Sequence, residues 1–235
     1  MVFFDAGETL VHPLPSFPQL FARICASHGL EVDLSLLPAA TRRLMAGVEE
    51  RQRSGYTFTN DEEESRRFWL GFYGRLVREL GGDDGNGELP LRLYQAFSDP
   101  ANYGAYHDVT ETLAHLREEG YRLGLISNFE AWLHELLDSL DISRYFEVMV
   151  ISGRERYEKP HPEIYAVALR RGNVTPQRAV HVGDSPLSDY RGARDAGMRA
   201  VLLDRWGRFP DFEGPRISDL RELPGLLSRG DIRHG

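Results

Sequence analysis

From Tyr103 onward the chain alternates short apolar runs with amphipathic stretches, and this alternation constrains the fold more than any other feature. Residues 121–127, 146–151, 179–182 and 199–203 read as strands. Asp108 and Glu111 open a helix that stops at Gly120, and further helices are expected over 130–140, 161–171, 187–196 and 220–227. Strands that alternate with helices pair in parallel through right-handed crossovers. The expected fold class is therefore α/β, a doubly wound, mostly parallel Rossmann-like sheet. Val2-Phe3-Phe4 has the character of one more buried strand, and it runs directly into Asp5 and a Gly-containing turn, Ala6-Gly7-Glu8-Thr9.

Between that strand and Tyr103 the pattern is helical. His12-Pro13-Leu14-Pro15 reads as an extended linker, because two prolines work against regular structure. Ser16-Phe17-Pro18-Gln19 has the form of a capping box, with Leu20, Phe21, Ile24 and Cys25 following at helical spacing. Further helices are expected over 35–53, from near Asn60, and over 91–97, with a Gly-rich loop over 81–87. Residues 1–13 and 101–235 are thus expected to form an α/β core domain, and residues 14–100 an inserted all-helical cap. Arg42, Arg43, Arg51, Arg53, Arg66 and Arg67 would give that unit positive charge for an anionic substrate, or would simply be solvated, stem-packed side chains.

Composition narrows the function. A net charge of -8 leaves no basic footprint for nucleic acid or an anionic membrane, and no apolar run reaches the length of a bilayer span. One cysteine, Cys25, excludes an internal disulfide. The first strand begins at Val2, without room for a signal peptide ahead of it. The expectation is a soluble cytoplasmic protein, monomer or homodimer. The chain also contains a single lysine, Lys159, all other side-chain cations of the Lys/Arg class being arginine. Arginine replaces lysine on most surfaces but not as a compact ammonium in a tight site, so this exception points to a specific role unless it is a chance survivor.

In a parallel sheet, the carboxyl ends of all strands share one edge, where such folds bind ligands. Asp5, Ser127, Lys159 and Gly183-Asp184 with Asp189 all fall at strand ends or just before a helix. Taken singly, Asp5 could cap a turn, Ser127 and Asn128 could cap the following helix, and Asp189 could be a solvated first-turn acid. His12, His107, His161 and His181 lack metal-binding spacing and read as ordinary surface or core residues.

Taken together, four motifs resemble the haloacid dehalogenase-like (HAD) hydrolase superfamily over nearly the whole chain. They are Asp5-Ala6-Gly7-Glu8-Thr9-Leu10, Leu125-Ile126-Ser127-Asn128, Glu158-Lys159-Pro160-His161-Pro162, and Val182-Gly183-Asp184-Ser185-Pro186-Leu187-Ser188-Asp189. The helical insertion after the first strand resembles the subfamily I type with a C1 cap. The resemblance implies a phosphatase acting on a small anionic, phosphorylated substrate, with Asp5 attacking the phosphoryl group to form an aspartyl-phosphate. It implies Mg2+ held by Asp5, Asp184 and the Gly7 carbonyl, with Asp189 supporting the metal or Lys159 from behind. Ser127, Asn128 and Lys159 would hold phosphoryl oxygens, and Thr9 would orient the nucleophile or the transferring group.

One position departs from the family pattern. Phosphatases of this superfamily carry a second aspartate, the acid for the leaving group, where Gly7 stands, and a glycine where Glu8 stands. Three explanations remain open: a substrate with a good leaving group, a metal-independent 2-haloacid dehalogenase, or a catalytically impaired binding protein. Tyr165 also resembles the dehalogenase branch, whereas Asp184 resembles the metal-dependent one. Glu8 would be a stand-in acid or an exposed turn residue.

Overall fold

In a computed structural model of the chain, residues 1–83 and 85–229 are described; Asp84 of the expected Gly-rich loop lies outside them. The chain opens with β1 (Val2–Phe4) and β2 (Val11–Pro13), then runs through α1 (Phe17–Ser27), α2 (Leu37–Arg53), α3 (Glu62–Glu79) and α4 (Glu88–Phe97). It returns through β3 (Tyr103–Ala105) to α5 (Val109–Glu118), β4 (Leu123–Ser127), α6 (Leu133–Ser139), β5 (Val148–Ile151) and α7 (Pro162–Arg171). β6 (Val180–Gly183), a π-helical turn (Pro186–Arg191), α8 (Gly192–Asp195), β7 (Arg199–Leu203), β8 (Arg216–Ile217) and α9 (Leu223–Ser228) complete it. Two compact units result, Met1–Val11 with Ala105–Gly235, and His12–Gly104.

The first unit is a six-stranded sheet in the order β5-β4-β1-β6-β7-β8, with every pair parallel. β1 sits in the middle, and its three residues are buried, as a strand covered on both faces must be. Phe3 stands in register with Gly124 of β4 and His181 of β6. A Cβ at Gly124 would lie 2.6 Å from the Phe3 ring, so glycine is what lets that ring lie flat on the sheet. Ile164, Tyr165 and Ala168 of α7, together with Ala193 of α8, pack with Phe3 in one apolar cluster.

The second unit is helical. Ser16 caps α1 by accepting from the Gln19 amide, and Asp61 caps α3 by accepting from the Glu64 amide at 2.8 Å. Glu62, Glu63 and Glu64 occupy the first turn of α3 and Arg78 its last, an arrangement that follows the helix dipole. Phe58, Phe68, Phe72, Tyr73 and Leu76 form its core with Leu20 and Phe21 of α1. Among the arginines, Arg43 pairs with Glu79, Arg53 with Glu50 and Arg67 with Glu64, all at exposed positions.

Two local expectations need correction, and one strand has no counterpart among them. The Pro-rich linker forms a short strand: β2 ends on Pro13, where a missing N–H is tolerated, and pairs with β3. The helix expected over 187–196 starts as a π turn and becomes α-helical only at Gly192. β8, two residues long, carried too little sequence for a periodicity to register. No helix among the described residues is long and apolar enough to cross a membrane. Gly124→Ala should destabilise the protein by about 1–3 kcal/mol in urea unfolding, because Phe3 has no space to move into.

Candidate active site

Parallel pairing brings the ends of β1, β4 and β6 to one edge, so residues far apart in sequence meet. Asp5 follows β1 directly, its amide donating to Val182 of β6 at 2.9 Å. Ser127, the last residue of β4, donates its hydroxyl to Asp5 Oδ1 at 3.0 Å. Lys159 Nζ donates to the same oxygen at 2.7 Å and to Asp189 Oδ1 at 2.5 Å. The side chains of Lys159 and Asp189 are each only 2% exposed, so this ammonium is shared by two carboxylates almost without water. Asp5, Asp184 and Asp189 each offer an oxygen, all within 4.8 Å of one another.

Asp189 is the most firmly held of the three. Oδ1 also accepts from His181 Nε2 at 2.9 Å, and Oδ2 accepts from the Ser185 amide at 2.9 Å. A Cβ at Gly183 would fall 2.2 Å from Asp189 Cγ, so β6 has to end in glycine for the carboxylate to tuck against it. Asp184 has one partner of a different kind: Arg208 Nη2 reaches its Oδ2 at 2.9 Å from a side chain 40% exposed.

Electrostatics follow from these contacts. Burial opposes ionisation of Asp189, but the Lys159 charge and the His181 hydrogen bond overcome it and hold the carboxyl below the usual range. Burial likewise opposes the charge on Lys159, and the two aspartates more than compensate, so its ammonium is held more firmly than usual. Asp5 is pushed up by burial and by the Asp189 charge, against the pull of Lys159. Asp184 is pushed up to about 8, by burial first and then by Asp189 and Asp5. His181, fully buried, is held neutral chiefly by desolvation.

The remaining expected residues take definite places. Asn128 does not cap a helix, since α6 begins at Leu133 with Trp132 at the cap position. Its amide instead donates to the Lys159 carbonyl at 2.7 Å and accepts from the Lys159 amide at 2.6 Å, which fixes the segment carrying the lysine. Thr9 Oγ1 is buried without a hydrogen-bond partner, a group whose desolvation costs about 1–3 kcal/mol unless a ligand satisfies it. The Cβ direction of Gly7 faces the Phe129 ring at 3.7 Å. Glu8 adopts a left-handed φ of 56°, and its carboxylate accepts from the Tyr106 hydroxyl at 2.9 Å. It is neither exposed nor unpartnered, contrary to an ordinary turn residue.

Sequence reasoning passed over three contributors. Arg205 grips Asp108 with both terminal nitrogens, at 2.7 and 3.0 Å, and donates to the Thr9 carbonyl at 2.8 Å, anchoring the turn after Asp5. Tyr106 lies under that guanidinium, 4.1 Å from its carbon to the ring centre. Nothing local in sequence joins residues 8, 106 and 205. His181 did have a signal, a polar residue between Val180 and Val182 in a strand buried on both faces.

A buried carboxylate at the end of β1, a buried lysine bridging it to a second aspartate, and a third aspartate alongside agree with what the sequence compares with. The model of the haloacid dehalogenase-like hydrolases matches residues 1–197. The chain belongs to this hydrolase family. The human haloacid dehalogenase-like hydrolase domain-containing protein 3 is 30% identical over 205 residues, 86% of this chain and 81% of that protein. The phosphoserine phosphatase of Thermus thermophilus is 36% identical over 167 residues, covering 68% of this chain and 67% of its own. Among solved structures, the magnesium-bound HAD-hydrolase YfnB of Bacillus subtilis superposes with a TM-score of 0.73 at 16% identity, over 96% of this chain and 97% of that one. The α/β sheet with a helical insertion after the first strand fits the C1-capped subfamily of these hydrolases.

The raised Asp184 gives the hydrolase a pH signature. Between about pH 4 and pH 8 the folded carboxyl holds a proton that the unfolded chain has released, so stability falls as pH rises through that window. In chelator, urea unfolding of the wild type should therefore show a larger loss from pH 5 to pH 8.5 than Asp184→Asn, whose side chain cannot ionise. Equal losses would remove Asp184 as the source.

Proposed function

We propose that the protein is a Mg2+-dependent phosphatase of a small phosphorylated metabolite, working through an aspartyl-phosphate on Asp5. The observation that carries the reading is the Lys159 ammonium held between Asp5 and Asp189, with one oxygen of Asp184 within 4.8 Å of an oxygen on each of them. Residues 14–100 are read as the cap and residues 1–13 and 101–235 as the catalytic core, in keeping with a compact unit over His12–Gly104.

The donor set suits a hard divalent cation. Every available ligand is a carboxylate or carbonyl oxygen, and three clustered carboxylates repel one another unless a cation joins them. Asp5, Asp184 and the Gly7 carbonyl would hold the ion; Asp189, whose oxygens already take three donors, supports from behind. When bound, Mg2+ supplies positive charge to phosphoryl oxygens and keeps the carboxylates ionised.

The chain's own residues do the rest. Ser127 and Lys159 fix Asp5 through Oδ1, so its rotamer is set before substrate arrives. Lys159, carrying its charge in a desolvated site, balances the negative charge that collects on the transferring phosphoryl group. Ser127 and the backbone at Asn128, whose side chain is taken up by the Lys159 backbone, would line its approach, and the unpartnered Thr9 hydroxyl would be available to donate to it. The Asp5 carboxylate attacks phosphorus, the P–O bond to the leaving group breaks, and water later cleaves the acyl phosphate.

The leaving oxygen then needs a proton or must depart without one. Gly7 has no side chain to give it, and the Glu8 carboxylate already accepts the Tyr106 hydroxyl. Substrates with good leaving groups, acyl or aryl phosphates, are favoured for that reason. A metal-independent 2-haloacid dehalogenase shares the tolerance for a missing acid. Tyr165 resembles that branch, whereas Asp184, clustered with Asp5 and Asp189, weighs against it. A reducing cytoplasm suits Cys25, buried with its thiol pushed up to about 11 by desolvation.

Acetyl phosphate, 4-nitrophenyl phosphate, an alkyl phosphate and 2-chloropropionate, each with Mg2+ or chelator, test the reading. Phosphate release that needs Mg2+ and disappears in Asp5→Asn is expected, with the alkyl ester slower by about a hundredfold or more. Chloride release that survives chelator would replace this reading with the dehalogenase. No turnover of any substrate would leave a binding protein on a hydrolase fold.

A further inference from the structure

His181 sits in a place where a histidine is hard to justify by packing. Its neighbours along β6 are Val180 and Val182, and its register partners are Phe3 and Ala200. The edge of its ring meets Tyr165 at 6.1 Å between ring centres, and the residue has no exposed surface. An apolar side chain would fill such a site without any polar group to satisfy. The imidazole makes one polar contact, Nε2 to Asp189 Oδ1 at 2.9 Å, and its Nδ1 is buried with no partner. An ionised carboxylate only accepts, so the proton stands on Nε2 and the bare lone pair on Nδ1 faces the core. One nitrogen is satisfied at the expense of the other, which singles out that contact as the reason for the residue.

The oxygen that His181 holds is the one that Lys159 Nζ also meets, at 2.5 Å. The segment carrying Asp189 is fixed on its other side too. It is a π-helical turn, in which the regular carbonyl-to-amide pattern is broken, and the Tyr165 hydroxyl donates to the Ser188 carbonyl there. Gly192 leaves room for that contact, since a Cβ would fall 2.2 Å from the Tyr165 oxygen. Ser185, through its amide, holds the second oxygen of Asp189. Rotation of the Asp189 carboxylate is thereby blocked at both oxygens, and Oδ1 presents a fixed acceptor to the lysine.

We propose that His181 is a positioning residue of the site: by holding Asp189 Oδ1 it keeps the Lys159 ammonium suspended between Asp189 and Asp5. Without that contact, Oδ1 swings and Lys159 follows it away from Asp5. This rests on the phosphatase reading only for its effect on turnover; the placement of the ammonium is a separate observable.

That observable is unusually clean, because Lys159 is the chain's sole lysine and 15N-lysine labelling yields a single side-chain ammonium signal. In the wild type its protons should exchange slowly with water. His181→Phe should speed that exchange about tenfold or more and lower kcat by about ten- to a hundredfold with KM little changed. His181→Gln, whose amide extends as far as Nε2, should restore both to within about threefold. Should His181→Phe fail to melt cooperatively, His181→Asn, whose amide stops short of Asp189, takes its place. A folded His181→Phe or His181→Asn with wild-type exchange and kcat would overturn the proposal, and so would a His181→Gln as impaired as either. A wild type that hydrolyses no phosphate would overturn the functional reading instead, and the ammonium exchange would still decide the role of His181.

Discussion

The site depends on one buried ammonium shared by two carboxylates. Removing Lys159 from water is costly, and each aspartate alone would be worse placed without it. One positive charge does not satisfy two negative ones equally. Asp189, with two further donors, stays firmly ionised, whereas Asp5 is left leaning toward its protonated form. On the proposed reading Asp5 must be ionised to attack, and a cation shared with Asp184, one oxygen of which lies within 4.8 Å, would favour that form. Much of the surrounding structure serves to keep the lysine where it is. Asn128 clasps its backbone from the end of β4, Gly183 makes space for Asp189, and the π turn directs Asp189 inward.

The turn after Asp5 obeys a different constraint. Glu8 stands in a left-handed conformation that a side chain with a Cβ adopts at a cost of about 1 kcal/mol or more. The Tyr106 hydroxyl on its carboxylate offsets that cost, and Arg205, stacked over Tyr106, ties the turn to Asp108 through the Thr9 carbonyl. The turn is thus stiff without glycine at its left-handed position. The same bonds fix the Glu8 carboxylate by one oxygen, Oε2, toward Tyr106. On the proposed reading, a side-chain-less Gly7 shifts the burden of the reaction toward the leaving group.

The sheet was legible because its strands are short, apolar and separated by helices of ordinary length, so period and length both spoke. Val2-Phe3-Phe4 joined the sheet on apolar character alone, across a helical insertion. Asp5, Ser127, Lys159, Asp184 and Asp189 were legible because parallel topology sends strand ends to one edge. The structure brings these five side chains together. What stayed hidden was pairing between residues without a local pattern. Residues 8 and 106, or 9 and 205, meet only through tertiary structure, and a π turn has the same composition as an α-helix. His181 was visible yet read as an ordinary surface or core residue; the structure places it in the core, and the meaning of a polar atom in that burial was missed. Asn128 had the sequence of a helix cap, but β4 and α6 are separated by a five-residue passage, and its side chain was drawn to the Lys159 backbone instead.

The three aspartates form a graded series in how firmly each is held, and the roles proposed for them follow that grading. Asp189 receives three hydrogen bonds, from Lys159, His181 and the Ser185 amide, inside a site that excludes water. Exchanging any of them for another ligand leaves a buried donor unsatisfied. Asp5 receives two, both on Oδ1, from Ser127 and Lys159. Asp184 has Arg208, whose side chain lies 40% in solvent and can return there at little cost, as exposed ion pairs contribute about 0–1 kcal/mol. The ease of taking a new partner therefore rises from Asp189 to Asp5 to Asp184. A ligand arriving from solvent meets the carboxylates in the reverse order, exchangeable first and fixed last. On the proposed reading that order is the useful one, because the group that positions the lysine would not also be the one that changes partners during each cycle.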